Sequence, residues 1–154
     1  MVIIVLMEET TMATFSERIT ELIAEKEISS QALAGIVGVN RTAIDSWKRG
    51  AYQIYLSHAI ILADFFECSL DYLMGLCHDE RINKNYKTCP PFYLRFLAVL
   101  EERNLSKYRL RLDSPIKGGH LSKWKTGSDP LMPTLITAAK YLDVSLDYLV
   151  GRDF

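Results

Sequence analysis

The chain has 154 residues, of which 49% are hydrophobic and 24% charged, with a formal net charge of −1. That composition excludes a disordered chain and a disulfide scaffold, and the length holds one ordinary domain or two small ones. Its three cysteines, Cys68, Cys77 and Cys89, contain no Cys-x-x-Cys pair and leave an odd thiol, as expected in a reduced cytoplasmic setting.

The apolar opening Met1-Val2-Ile3-Ile4-Val5-Leu6 is too short to span a bilayer and has neither a basic flank nor a small-residue cleavage site. A short strand, a loose tail, or sequence upstream of a true start at Met7 or Met12 all fit it. Beyond this tip the helical period dominates. Apolar positions 15, 19, 22 and 23 line one face of a first helix. Ser29 or Ser30 can cap a second helix running to Val37, with Leu33, Ala34 and Val37 inward and Gly38 ending it through a positive φ. Asn40 caps a third helix, 41–49, whose inward residues are Ile44 and Trp47, and Gly50 stops it. A fourth helix covers 56–66, and Ser69 caps a short fifth at 70–74.

Residues 78–90 are polar, close on Pro90-Pro91 and read as a linker. Cys77 and His78, with Cys89 beyond, lack the fourth ligand and the spacing of a metal site. Five further helices are predicted at 91–103, 106–112, 118–125, 131–142 and 146–150. The second half therefore repeats the plan of the first.

The repetition is literal in places. Ser69-Leu70-Asp71-Tyr72-Leu73-Met74-Gly75 returns 76 positions later as Ser145-Leu146-Asp147-Tyr148-Leu149-Val150-Gly151. Trp47-Lys48-Arg49-Gly50 recurs as Trp124-Lys125-Thr126-Gly127, and Phe15-x-x-Arg18 as Phe92-x-x-Arg95, both after 77 positions. The predicted organisation is a tail (1–13), one helical domain (14–77), the linker (78–90) and a second domain (91–154). The recurring aromatics (Phe15, Trp47, Phe65 and Tyr72 with Phe92, Trp124, Tyr141 and Tyr148) read as packing residues.

The stretch Gly38-Val39-Asn40-Arg41-Thr42-Ala43-Ile44-Asp45-Ser46-Trp47-Lys48-Arg49-Gly50 resembles the turn and recognition helix of the phage repressor and Cro family, also called xenobiotic-response-element-type regulators. The two endings, 63–73 and 139–149, look like that family's fourth and fifth helices. The likeness covers about four-fifths of the chain. It implies an all-α fold of two tandem five-helix lambda-repressor-like helix-turn-helix domains and double-stranded DNA as partner. No cofactor or metal is expected.

A short helix fits the major groove and meets base edges with its first turn. With Ile44 and Trp47 inward, Arg41, Thr42, Asp45 and Ser46 face outward, and Lys48 and Arg49 lie where phosphates pass. Arg41 can grip guanine with two hydrogen bonds, while Asp45 repels phosphate. Ser30 stands where relatives commonly carry Gln. Tyr52 and Tyr55 fall in the loop after this helix, a place for a phosphate contact or a partner surface.

In the second half the matching positions are Gly118, Gly119, Ser122 and Lys123, with Lys117 at the cap and His120 beside the glycines. Glycines read no bases but permit close backbone approach to phosphate. Lys107, Arg109, Arg111, Lys117, Lys123 and Lys125 form a basic cluster suited to salt-dependent affinity. Arg111 replaces the small Ala34, and Pro115 replaces Gly38, so the second turn departs from the family pattern. Residues 15–77 carry five basic against eight acidic residues, a balance of −3, whereas 90–154 carry ten against seven, a balance of +3. Polyanions should be held more firmly by the second half.

No phosphate loop, His-x-x-x-His, Gly-x-Ser-x-Gly or triad is present, so catalysis is not expected. The expected protein is a cytoplasmic transcriptional regulator of the prokaryotic or phage repressor type, with a homodimer as a possible assembly and no membrane partner. Tandem copies can set two recognition helices on successive groove faces, about 34 Å apart. The alternative is an antitoxin or protein-interaction adaptor in which one repeat binds DNA and the other dimerises.

Overall fold

The computed structural model describes residues 13–51, 53–78 and 85–153. The apolar opening, Tyr52 and the middle of the predicted linker lie outside them. The chain divides into two compact units, residues 1–52 with 57–83 and residues 53–56 with 84–154. Among the described residues every regular element is a helix.

The first unit holds α1 (Phe15–Lys26), α2 (Ser30–Val37), α3 (Arg41–Lys48), α4 (Leu56–Phe65) and α5 (Leu70–Leu73). α1, α2, α3 and α5 are each started by a Thr, Ser or Asn side chain that satisfies an otherwise orphaned N–H. Thr14 and Glu17 form a reciprocal capping box on α1, a Thr-x-x-Glu signal legible in the sequence but not read from it. Ser29 accepts from the Ala32 N–H at 3.1 Å, which makes Ser29 the cap and Ser30 the first helical residue. Asn40 and Ser69 cap α3 and α5 as predicted. α3 ends at Lys48, with Arg49 as its C-cap, one residue short of the predicted 41–49.

The core is apolar: Ile19, Leu33, Ile44, Leu62, Leu70 and Leu73 are each 0% exposed. One charge enters it. Arg18 is 5% exposed, its Nη1 donating to the Tyr72 carbonyl at 2.6 Å and its Nη2 to the Cys77 carbonyl at 2.8 Å. The guanidinium carbon lies 3.9 Å from the centre of the Tyr72 ring. Arg18 thus ties α1 to the end of the unit. Gly75 seals the same corner: φ is +78°, and a Cβ there would fall 2.2 Å from the Ala13 carbonyl oxygen, so only glycine fits.

The second unit holds α6 (Phe92–Glu102), α7 (Lys107–Asp113), α8 (Gly118–Lys125), α9 (Met132–Leu142) and α10 (Leu146–Val150). α6, α7 and α9 differ by one residue at their ends from the sequence expectation. Ser106 caps α7 and Ser145 caps α10. Arg95 repeats the tie of Arg18, with Nε and Nη2 donating to the Tyr148 carbonyl at 3.1 and 2.8 Å. A Cβ on Gly151 would meet the Pro90 ring at 2.8 Å, so the start and end of this unit also touch.

This unit also holds a buried ion pair. Arg152, 1% exposed, meets Asp147 at 2.7 Å and lies over the Tyr86 ring, 3.7 Å from its centre. The Lys87 N–H donates to the Arg152 carbonyl at 2.8 Å. The unit also takes in 53–56, where Tyr55 forms an isolated antiparallel bridge with Leu131.

Candidate nucleic-acid interface

The interface is built on α2, the three-residue turn Gly38-Val39-Asn40 and α3. Gly38, at φ +87°, reverses the chain, and both its N–H and that of Val39 donate to the Ala34 carbonyl, at 2.9 and 3.0 Å. Asn40 Oδ1 then accepts from the Ala43 N–H at 3.0 Å and starts α3. Ala34, 1% exposed, is small enough for α3 to pack beside α2. Ile44 is fully buried and Trp47 lies 6.2 Å from Phe15 and 6.4 Å from His58, centre to centre. Ser16 Oγ donates to the Lys48 carbonyl at 2.6 Å and fastens the far end of α3 to α1. α3 is therefore held rigidly along its inner face.

Its outer face carries Arg41 and Thr42, both exposed, with Asp45 and Ser46 half-buried beside them. Arg41 Nε lies 3.5 Å from Asp45 Oδ2, so the acidic residue orders the arginine in the free protein. Ser30 and Lys48 are half-buried and Arg49 is exposed.

In the second unit α7 ends without a left-handed residue. Ser114, 6% exposed, donates through Oγ to the Leu110 carbonyl at 2.7 Å and accepts from the Ile116 N–H at 3.2 Å. This one hydroxyl closes the turn that Gly38 makes by conformation in the first unit. Nothing in the Ser-Pro dipeptide announced that role. Ser114→Ala takes the acceptor from the buried Ile116 N–H, while the Leu110 carbonyl keeps the Ser114 N–H at 3.0 Å, and should lower stability by about 1–2 kcal/mol in urea unfolding followed by Trp124 fluorescence in a Trp47→Phe background.

Lys117 precedes α8, and its backbone N–H donates to His120 Nδ1 at 3.0 Å. That nitrogen is spent on the helix start, and the ring leans on Trp124 with centres 5.9 Å apart. Leu121 and Trp124 are buried; Gly119, Ser122, Lys123 and Lys125 are exposed, and Gly118 is half-buried. Lys107 Nζ lies 3.4 Å from the Tyr93 hydroxyl. Arg109 pairs with Asp113 at 3.4 Å, which takes it out of the free basic cluster. Among the described residues Lys107, Arg111, Lys117, Lys123 and Lys125 have no carboxylate partner. Arg111 is exposed rather than wedged between helices.

In the loop after α3 the Tyr55 backbone is bridged to Leu131 while its side chain is 45% exposed, and Tyr52 lies outside the described residues. Among the described residues no group of three His, Cys, Asp or Glu side chains is placed to hold a metal ion. No helix is long and apolar enough to cross a membrane.

The geometry of 30–48, two short helices joined through a left-handed glycine and an Asn cap, defines a helix-turn-helix. Residues 18–79 match the family model of the Cro/C1-type HTH DNA-binding domain. The matched stretch takes in Arg18 and everything from there to the end of α5. No curated protein and no solved structure matches the chain.

Proposed function

We propose that the chain is a sequence-specific double-stranded DNA-binding transcriptional regulator of the prokaryotic or phage repressor type, built of two tandem helix-turn-helix domains and acting in the cytoplasm without a cofactor. The observation that carries this reading is the first turn of α3. Its inner face is fixed by Ile44, Trp47 and the Ser16 tie, while Arg41 (beside Asp45) and Thr42 lie exposed on the outer face, inside a stretch similar to a DNA-binding family. In this reading Arg41, Thr42, Asp45 and Ser46 face bases, and Ser30, Asn40, Lys48 and Arg49 meet the backbone. Lys107, Lys117, Lys123 and Lys125 hold phosphates, and the bare Gly118-Gly119 edge beside His120 lets the strand come close. Support for the second domain is the matching order of five helices and the matching arginine ties of Arg18 and Arg95.

The test is binding of the full chain to a duplex enriched from a random-sequence pool, compared with unselected duplex across a salt series. The enriched duplex should bind far more tightly, and Arg41→Ala should cost about 10- to 100-fold on it while changing unselected duplex little. An unchanged Arg41→Ala profile would remove α3 from base reading.

A second reading, an adaptor that uses the fold to hold a protein, is favoured by one observation. Tyr108 and Leu112, four apart on α7, are 62% and 58% exposed where the first unit has Gln31 and Gly35. Equal affinity of the wild-type chain for enriched and unselected duplex would favour it.

A further inference from the structure

In the first unit the residue on α2 facing α3 is small (Ala34) and the first residue of α3 is an arginine (Arg41). At the matching positions of the second unit, 77 residues on, the order is reversed: Arg111 stands on α7 and Gly118 opens α8. The coordinates show what that exchange does. A Cβ built on Gly118 would lie 3.5 Å from Arg111 Nη1 and 3.6 Å from its Cδ, so stem and guanidinium both run along the first turn of α8. Arg111 is exposed and, among the described residues, has neither a hydrogen bond nor an ion pair. It shares a helix face with Lys107, four residues before it, and not with the Arg109–Asp113 pair.

We propose that Arg111 is the base-reading arginine of the second unit, delivered from α7 to the place that Arg41 occupies from α3. The inference rests on the DNA-binding reading above and adds the residue that reads. The opening turn of α8 offers no second guanidinium. Gly118 and Gly119 have no side chains, and His120 Nδ1 is engaged with the Lys117 N–H. Lys117 presents one point charge, which suits a phosphate, whereas a guanidinium presents parallel donors that match N7 and O6 of guanine. Gly118 leaves the guanidinium free to lie flat on the helix start.

The same enriched and unselected duplexes, titrated with the full chain at several salt concentrations, test this. Arg111→Lys keeps the charge but loses the fork. It should bind unselected duplex with the wild-type affinity and salt slope, and lose about tenfold in preference for the enriched duplex. Arg111→Ala combined with Gly118→Arg puts the arginine back on the recognition helix as in the first unit, and should recover preference lost in Arg111→Ala alone. Far-UV circular dichroism checks that each variant is folded. If Arg111→Lys lowers affinity for both duplexes equally, or for neither, the assignment of base reading to Arg111 is wrong although DNA binding itself stands. If the wild-type chain prefers neither duplex, the regulator reading falls and this proposal with it.

Discussion

Replacing Asp147 by Ala should lower the unfolding free energy of the second unit by about 3–5 kcal/mol. Arg152 is 1% exposed and meets the Asp147 carboxylate at 2.7 Å, with its guanidinium carbon 3.7 Å from the centre of the Tyr86 ring. Without the carboxylate a full positive charge stays in a medium that solvates it poorly. A unit of this size is stable by roughly 4–10 kcal/mol, so the loss is a large share of the total. Each unit contains one tryptophan, Trp47 or Trp124, both 5% exposed, so a Trp47→Phe background makes fluorescence report on the second unit alone. Urea unfolding should show the midpoint fall with little change in slope. The control is the paired replacement of Asp147 by Leu and Arg152 by Met, which removes both charges at similar volume and should cost far less than the single change. A single variant within about 1 kcal/mol of wild type would mean that the pair is not buried in solution.

Arg18→Ala should be nearly as damaging to the first unit, by about 3–4 kcal/mol, with Trp47 as the probe. The reason differs. Among the described residues Arg18 has no carboxylate; its charge is met by the carbonyls of Tyr72 and Cys77 and by the Tyr72 ring. Charge-assisted hydrogen bonds of this kind are each worth about 1.5–3 kcal/mol, and both would go, although the Tyr72 carbonyl keeps the Gly75 N–H at 3.1 Å. Arg18→Lys should recover only part, because one ammonium cannot reproduce the fork that spans the two oxygens. Equal stability of the Ala and Lys variants would show that the alkyl stem, not the guanidinium, matters.

These two sites also show what the sequence discloses and what it withholds. The helices were legible because their signals are local: Asn40 before an apolar pair spaced by three, Ser69 before Leu-Asp-Tyr, Gly38 between two periodic runs. The recurrence of Phe-x-x-Arg and of Ser-Leu-Asp-Tyr-Leu was legible too, but not that the two phrases belong together. That link is a contact between residues 54 apart, from a guanidinium to a backbone carbonyl, and no periodicity encodes it. Arg152 was harder still, since Leu76 stands at the matching place in the first unit and the repeat gives no hint of a partner for Asp147.

At the interface the outward set on α3 follows from the burial of Ile44 and Trp47; Arg41 and Thr42 are exposed there, and Asp45 and Ser46 are half-buried. The second unit was less legible. Arg111 read as an intruder between helices because its accommodation by Gly118 is a pairing across two elements seven residues apart. Ser114 was overlooked because a hydroxyl that closes a turn looks like any other serine. No local pattern shows that His120 Nδ1 helps begin α8.

The closeness of Ala13 to Gly75, and of Pro90 to Gly151, has a consequence for how such a chain can arise. Each module leaves the polypeptide at the point where it came in. A gene segment encoding one can be copied head to tail without stretching any internal contact, because a few joining residues suffice and no buried hydrogen bond has to be rerouted. The uninterrupted 77-residue offset from Phe15 to Gly50 is the trace that such copying would leave.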